Sequence, residues 1–214
     1  MSLSIGSVGL PNVGKATLFS ALTKKQVDCA KYPFCTIDPN IGIVTVPDER
    51  LDKLAQMSKS AKKIPAVVEF YDIAGLVKGA YKGEGLGNQF LSHIRETNAI
   101  VMVLRVFENS EIIHVENSVD PIRDMDIINM ELALKDLDSI EKATKRLEGE
   151  AKTGNKEAAK AVEGLKTIRP ILESGKPLGL QHTNILEFVR ISELNLLMAK
   201  KQLYLLNGKP EDVS

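Results

Sequence analysis

The stretch GLPNVGKATLF, residues 9–19, decides how the rest of the chain is read. Gly9, Gly14 and Lys15 fill the first, sixth and seventh places of a G-x-x-x-x-G-K-[ST] loop. In such a loop the glycines let backbone N–H groups face a phosphate, and the lysine adds a point charge. The helix that opens at the lysine adds the positive end of its dipole. A glycine turn between strand and helix also occurs for structural reasons alone, but a lysine in register after an apolar strand points to phosphate. The eighth place departs from the pattern: a hydroxyl there ligates Mg²⁺, and this chain has Ala16. The candidate nucleotide contacts in the loop are Asn12, Val13, Gly14, Lys15, Ala16 and Thr17. The Thr17 hydroxyl, turned about 100° further round the helix, does not replace the missing one.

Outward from the loop, residues 3–9 read as a short buried strand and Ala16 to about Lys25 as the helix after it. IGIVTV (41–46), AVVEFYDIA (66–74) and AIVMVLRVF (99–107) read as further strands, alternating with helical stretches at 49–57 and 88–97. That alternation predicts an α/β fold of the P-loop NTPase type with a mostly parallel sheet. From about Asn129 to Leu172 the chain becomes charged and rich in helix formers. Met130, Leu134, Leu137, Ile140 and Leu147, then Val162, Leu165, Ile168 and Leu172, fall at helical spacing on either side of TGN (153–155). This predicts an inserted antiparallel helical hairpin whose second arm kinks or ends at Pro170. A short helix at 185–197 and a last strand at 200–207 follow. Residues 1–128 and 198–214 are expected to form the nucleotide-binding domain, and 129–197 an inserted helical, coiled-coil domain.

Composition narrows the partners. With 28 basic and 28 acidic residues the formal net charge is zero, so overall charge favours neither DNA nor an acidic membrane. The hairpin, with ten Lys/Arg and nine Asp/Glu between Asn129 and Lys176, reads as a solvated face. Cys29 and Cys35 lack metal-ligand spacing, and no apolar run reaches ~18 residues, so a cytoplasmic protein with reduced thiols is expected.

Two further segments carry candidate chemistry. In YDIAG (71–75), Asp72 ends a strand where it can hold a metal-bound water, and Gly75 can offer its N–H to a γ-phosphate. In KYPFCTIDPNIG (31–42), Thr36 can close over a nucleotide and ligate Mg²⁺; the same segment also reads as a polar loop anchored by Tyr32 and Phe34. Ser7 interrupts the first strand and, if buried, needs a hydrogen-bond partner.

GLPNVGK, YPFCTIDPNIG, DIAGLVKGAYKGEGLGNQFL, IRETNAI and VFENSEIIHVENSVDPIRD, in this order and followed by a helical hairpin, resemble the YchF or Obg-like ATPase family across nearly all of residues 1–207. The resemblance implies an ATPase or GTPase that generally prefers ATP, associates with ribosomes and carries a carboxy-terminal TGS domain, which this chain is expected to lack; Mg²⁺ is the expected cofactor, with ATP as ligand. Where a glutamine usually orients the attacking water after D-x-x-G, this chain has the apolar Leu76, as the family does. The family's F-E-N-x-x-I-x-H-V histidine, here His114, is the implied substitute. A lone loop histidine is otherwise structural or merely exposed.

Base choice is legible after the last strand. An N-K-x-D motif selects guanine through its aspartate, but here the run is NGKPED, with Pro210 three residues past Asn207. Proline carries no acceptor, so ATP is expected to bind at least as well as GTP. The family pattern has a glutamate at that place, and here Glu211 stands one residue later. Asn207 and Gly208 are candidates for an adenine-binding surface, or else form a simple exposed turn. Two other readings stay open: a nucleotide-binding or ribosome-docking module without turnover, and a hairpin that is the working part on an α/β scaffold.

Overall fold

A computed structural model describes residues 3–23, 41–72, 86–179 and 182–213. Five strands form one sheet: β1 (Leu3–Val8), β2 (Ile41–Thr45), β3 (Val67–Asp72), β4 (Ala99–Arg105) and β5 (Lys201–Asn207). Their order is β2-β3-β1-β4-β5. β1 runs parallel to β3 and β4, β4 runs parallel to β5, and β2 alone is antiparallel to its neighbour β3. All seven residues of β4 are buried, which explains why AIVMVLR is apolar almost throughout instead of alternating. The order places β1 between β3 and β4, so the loop leaving β1 emerges beside the end of β3. The register pairs Ser7 with Asp72.

Three helices connect the strands: α1 (Lys15–Thr23), α2 (Glu49–Ser58) and α3 (Leu86–Glu96). The hairpin is α4 (Pro121–Lys152) and α5 (Lys156–Glu173). The Asp120 side chain accepts from Ile122 and Arg123 N–H, and Pro121 fills the first helical position, where its missing donor costs nothing. Asn155 caps α5 on Glu157 and Ala158 N–H, and Gly154 adopts φ 95° in the tight turn between the arms. Two short helical turns, α6 (Thr183–Leu186) and α7 (Val189–Ser192), and a 3₁₀ turn at Leu197–Ala199 lead back to β5.

The hairpin departs from its sequence reading in three ways. α4 begins eight residues before Asn129, set by the Asp120–Pro121 cap. Its buried stripe runs through Ile128, Leu132, Ala133, Asp136, Ile140, Ala143 and Leu147, so Met130 is exposed and Leu134 and Leu137 only half-buried. The stripe is rotated because Asp136 faces inward to meet a polar junction. Pro170 does not end α5: the helix continues to Glu173, since only one ladder bond near the terminus is lost. In place of one helix over 185–197 there are the separate turns α6, α7 and the 3₁₀ turn.

That junction roots the hairpin in the sheet layer. Asp136, fully buried, accepts from Leu197 N–H (3.0 Å) and Met198 N–H (2.8 Å). Arg95, in the last turn of α3, donates to Asp136 Oδ1 (3.3 Å), Ser139 Oγ (2.6 Å) and the Leu194 carbonyl (3.1 Å). Lys200 Nζ donates to the carbonyls of Arg95 and Thr97. Three chain segments far apart in sequence are thereby held around the fully buried Asp136 carboxylate.

Candidate phosphate-binding site

The loop between β1 and α1 has the backbone its sequence requires. Asn12 and Gly14 adopt left-handed φ of 62° and 96°. A Cβ on Gly14 would lie 2.3 Å from Asn207 Nδ2, so only glycine fits there. Asn207, the last residue of β5, donates from Nδ2 to the Val13 carbonyl at 2.8 Å. The end of β5 thus holds the loop's shape from 194 residues away.

Lys15 is almost wholly buried, and its Nζ donates to the carbonyls of Gly9 (3.0 Å) and Leu10 (2.8 Å). The ammonium is folded back onto the loop's own acceptors. Burial lowers its pKa from 10.5 to about 8, partly opposed by the negative charge of Asp72. The buried Ser7 donates to the Tyr71 carbonyl (3.2 Å) and lies 3.4 Å from Asp72 Oδ1. This supplies the partner that a hydroxyl inside a strand needs, and it steadies the Asp72 carboxylate.

These groups line one cleft of about 690 Å³: Asn12, Gly14, Lys15, Ala16, Thr17, Asp72 and Asn207, with Pro11, Phe107 and Ile112 as further walls. Seven candidates from the sequence therefore converge. Val13 contributes its carbonyl to Asn207 while its side chain joins the core. Gly208 lies outside the lining; it packs against Val106 and Asp212, where a Cβ would come within 2.4 Å of Val106 Cγ2. Thr36, Gly75 and Leu76 lie outside the described residues. His114 lines an adjoining recess with Ile112 and Ile113, and it is neither exposed nor free: both ring nitrogens are engaged in a buried pocket.

Mg²⁺ keeps several waters and takes one or two carboxylates together with substrate phosphates. Asp72 fits that role, and Ala16 offers no oxygen. Among the described residues no cluster of three or more His, Cys, Asp or Glu could hold a metal by itself. The donor set suits an ion carried largely by nucleotide phosphates.

Arg105 is a residue the sequence reading passed over. Fully buried at the end of β4, it donates to the carbonyls of Phe107 (2.9 Å), Ile112 (2.9 Å) and Asn109 (3.2 Å), and its guanidinium stacks 4.5 Å from the Phe107 ring centre. It shapes the loop that supplies two walls of the cleft. A lone arginine closing the most apolar strand was the available signal.

A buried loop lysine, an aspartate at the end of the neighbouring parallel strand and an asparagine locking the glycine turn define a P-loop nucleotide-binding domain. The chain belongs to the family described as 50S ribosome-binding GTPase, whose profile matches residues 4–145. It is 51% identical over 207 residues to the ribosome-binding ATPase YchF of Haemophilus influenzae, covering 97% of this chain and 57% of that protein. It is 47% identical over 214 residues to the ribosome-binding ATPase YchF of Bacillus subtilis, covering 100% and 58%. The solved structure of the Schizosaccharomyces pombe YchF GTPase superposes with a TM-score of 0.73 at 41% identity, covering 99% of this chain and 58% of that one. The YchF resemblance and the mostly parallel P-loop fold are thus borne out, and the chain spans under two thirds of the length of these relatives.

Proposed function

We propose that the chain is the nucleotide-binding part of a YchF-type switch hydrolase that takes ATP over GTP and works on the ribosome, in the cytoplasm. The observation that carries the reading is the convergence of Lys15, Asp72 and Asn207 on one cleft. Lys15 exchanges the Gly9 and Leu10 carbonyls for phosphate oxygens, loop N–H groups cradle the phosphates, and Asp72 with Thr36 would hold Mg²⁺. When bound, the ion neutralises phosphate charge. Ala16 removes one protein oxygen from that set, so hydrolysis is slow. The ribosome enters from the relatives' names.

The base preference follows from the segment after β5. Pro210 opens a 3₁₀ turn (Pro210–Val213), and Asp212 Oδ2 accepts from Lys209 N–H at 2.7 Å, so that carboxylate closes the turn. A site built on a guanine-reading carboxylate discriminates on the order of 10⁴; this turn does not present one at position 210. Calorimetric titration with non-hydrolysable ATP and GTP analogues tests the reading. ATP binding at least as tight as GTP is expected, and a tenfold preference for GTP overturns it. Absence of turnover with intact binding would favour the alternative of a docking module.

A further inference from the structure

β5 closes one side of the sheet: it pairs with β4, and among the described residues no strand lies beyond it. The Asn207 carbonyl accepts from Val106 N–H at 3.0 Å. The N–H and C=O of one strand residue point to the same side, and successive residues alternate. Lys201, Leu203, Leu205 and Asn207 therefore turn their backbone to β4, and Gln202, Tyr204 and Leu206 turn theirs outward. Sheet edges are commonly guarded by a charge, a proline or a bulge. QLYLL (202–206) holds no charge and no proline, and its register with β4 is unbroken. Its apolar side chains are open: Leu203 is 53% exposed, Tyr204 48% and Leu206 43%. Beside Leu203 a cavity of about 920 Å³, walled also by Leu3, Ala99 and Ile191, extends the apolar surface onto the sheet face.

We propose that this edge is the docking surface for a second copy of the chain, with β5 pairing antiparallel to β5 about a twofold axis at Tyr204. The strand is self-complementary in that register. Gln202 faces Leu206 of the second copy and Tyr204 faces Tyr204, so outward backbone groups meet each other and each pair exchanges both of its bonds. A shift of one residue would set them against groups already bonded to β4. Side chains directly opposite share a face, so Leu203 meets Leu205 on one face and Tyr204 meets its counterpart on the other. Charge fits as well. Lys201 is the one charged residue of β5, and it lies opposite Asn207 of the second copy, at the strand end followed by the turn that the Asp212 carboxylate closes. Parallel pairing would set Lys201 against Lys201. Gln202 adds a polar argument: its Oε1 accepts from the Tyr204 hydroxyl at 2.8 Å, while its Nε2 is buried with no hydrogen-bond partner among the described residues. Its diagonal neighbour across the pairing is Tyr204 of the second copy, whose hydroxyl oxygen is an acceptor.

The test is sedimentation equilibrium of the chain over the micromolar range, joined to amide exchange read residue by residue. A monomer–dimer equilibrium is expected. Exchange of the Gln202, Tyr204 and Leu206 amides should slow as concentration rises, and that of Leu203 and Leu205, already bonded to β4, should not change. Tyr204→Lys sets two ammonium groups opposite each other at the axis and should weaken the dimer about tenfold or more, with binding of a non-hydrolysable ATP analogue kept as the control for folding. A chain that stays monomeric, a dimer whose three outward amides exchange as fast as in the monomer, or a dimer untouched by Tyr204→Lys would overturn the proposal. Protection of those amides already in the dilute monomer would overturn it too, because the edge is then covered from within one chain. If Tyr204→Lys fails to fold, the exchange pattern of the parent decides alone.

Discussion

The buried Lys15 makes nucleotide binding a proton-linked event. In the free loop its ammonium sits on two carbonyls and titrates at about 8. Phosphate oxygens in place of those carbonyls bring formal negative charge beside it, which favours the charged form and raises the pKa. A group whose pKa rises on binding contributes affinity that is full below its free value and fades as pH climbs past it. At pH 9 only about one free loop in eleven is charged, so binding should be roughly tenfold weaker than at pH 7, with uptake of about 0.9 proton per nucleotide against about 0.1 at pH 7. Calorimetry in two buffers of different ionisation enthalpy reads the uptake directly. Equal affinities at pH 7 and 9, with no buffer dependence at pH 9, would refute the assignment of Lys15 to the phosphates.

Other substitutions follow from the same geometry. Gly14→Ala places a methyl at 2.3 Å from Asn207 Nδ2 at φ 96°, so nucleotide binding should be lost, and Asn207→Ala should not restore it because the backbone strain remains; titration of both variants decides. Ala16→Ser restores the hydroxyl, so turnover should rise and its Mg²⁺ midpoint fall; equal rates and midpoints would show the oxygen to be dispensable. Arg105→Met strands three carbonyls and should cost about 3 kcal/mol or more in denaturant melts. Burial lifts Asp136 from 3.8 to about 6, against the pull of the Met198 and Leu197 N–H groups and of Arg95 and Lys200. The folded state then holds this proton more tightly than the unfolded one. Its contribution to stability therefore declines as pH rises from about 4 to about 6 and is level above. A parent-minus-Asp136→Asn stability difference that does not fall over that window would contradict the burial argument.

What sequence reading could reach was set by the range of the forces involved. The glycine loop, the apolar β4 and the existence of a helical hairpin are written in local spacing, although the hairpin's start and buried face differ from the expectation. The α4 start is also local, but it is written in the Asp120–Pro121 cap and not in apolar periodicity. Asp124, Asp136 and Arg105 could not be read in the same way. A charged residue is buried only if a distant element brings it partners, here His114, the Leu197–Met198 turn and the 107–112 carbonyls. The same holds for Ser7, whose partner lies 64 residues away. Asn207 was placed at the nucleotide by its position after β5, but its grip on Val13 belongs to the assembled sheet.

The most direct test of the account is titration of a non-hydrolysable ATP analogue into the parent chain and into Lys15→Ala at pH 7. The account predicts one site per chain in the parent and an affinity at least about a hundredfold weaker in the variant, in line with a lost charge-assisted contact to phosphate of about 3 kcal/mol. Equal affinities in the two would contradict it, since the nucleotide would then be bound somewhere other than the loop.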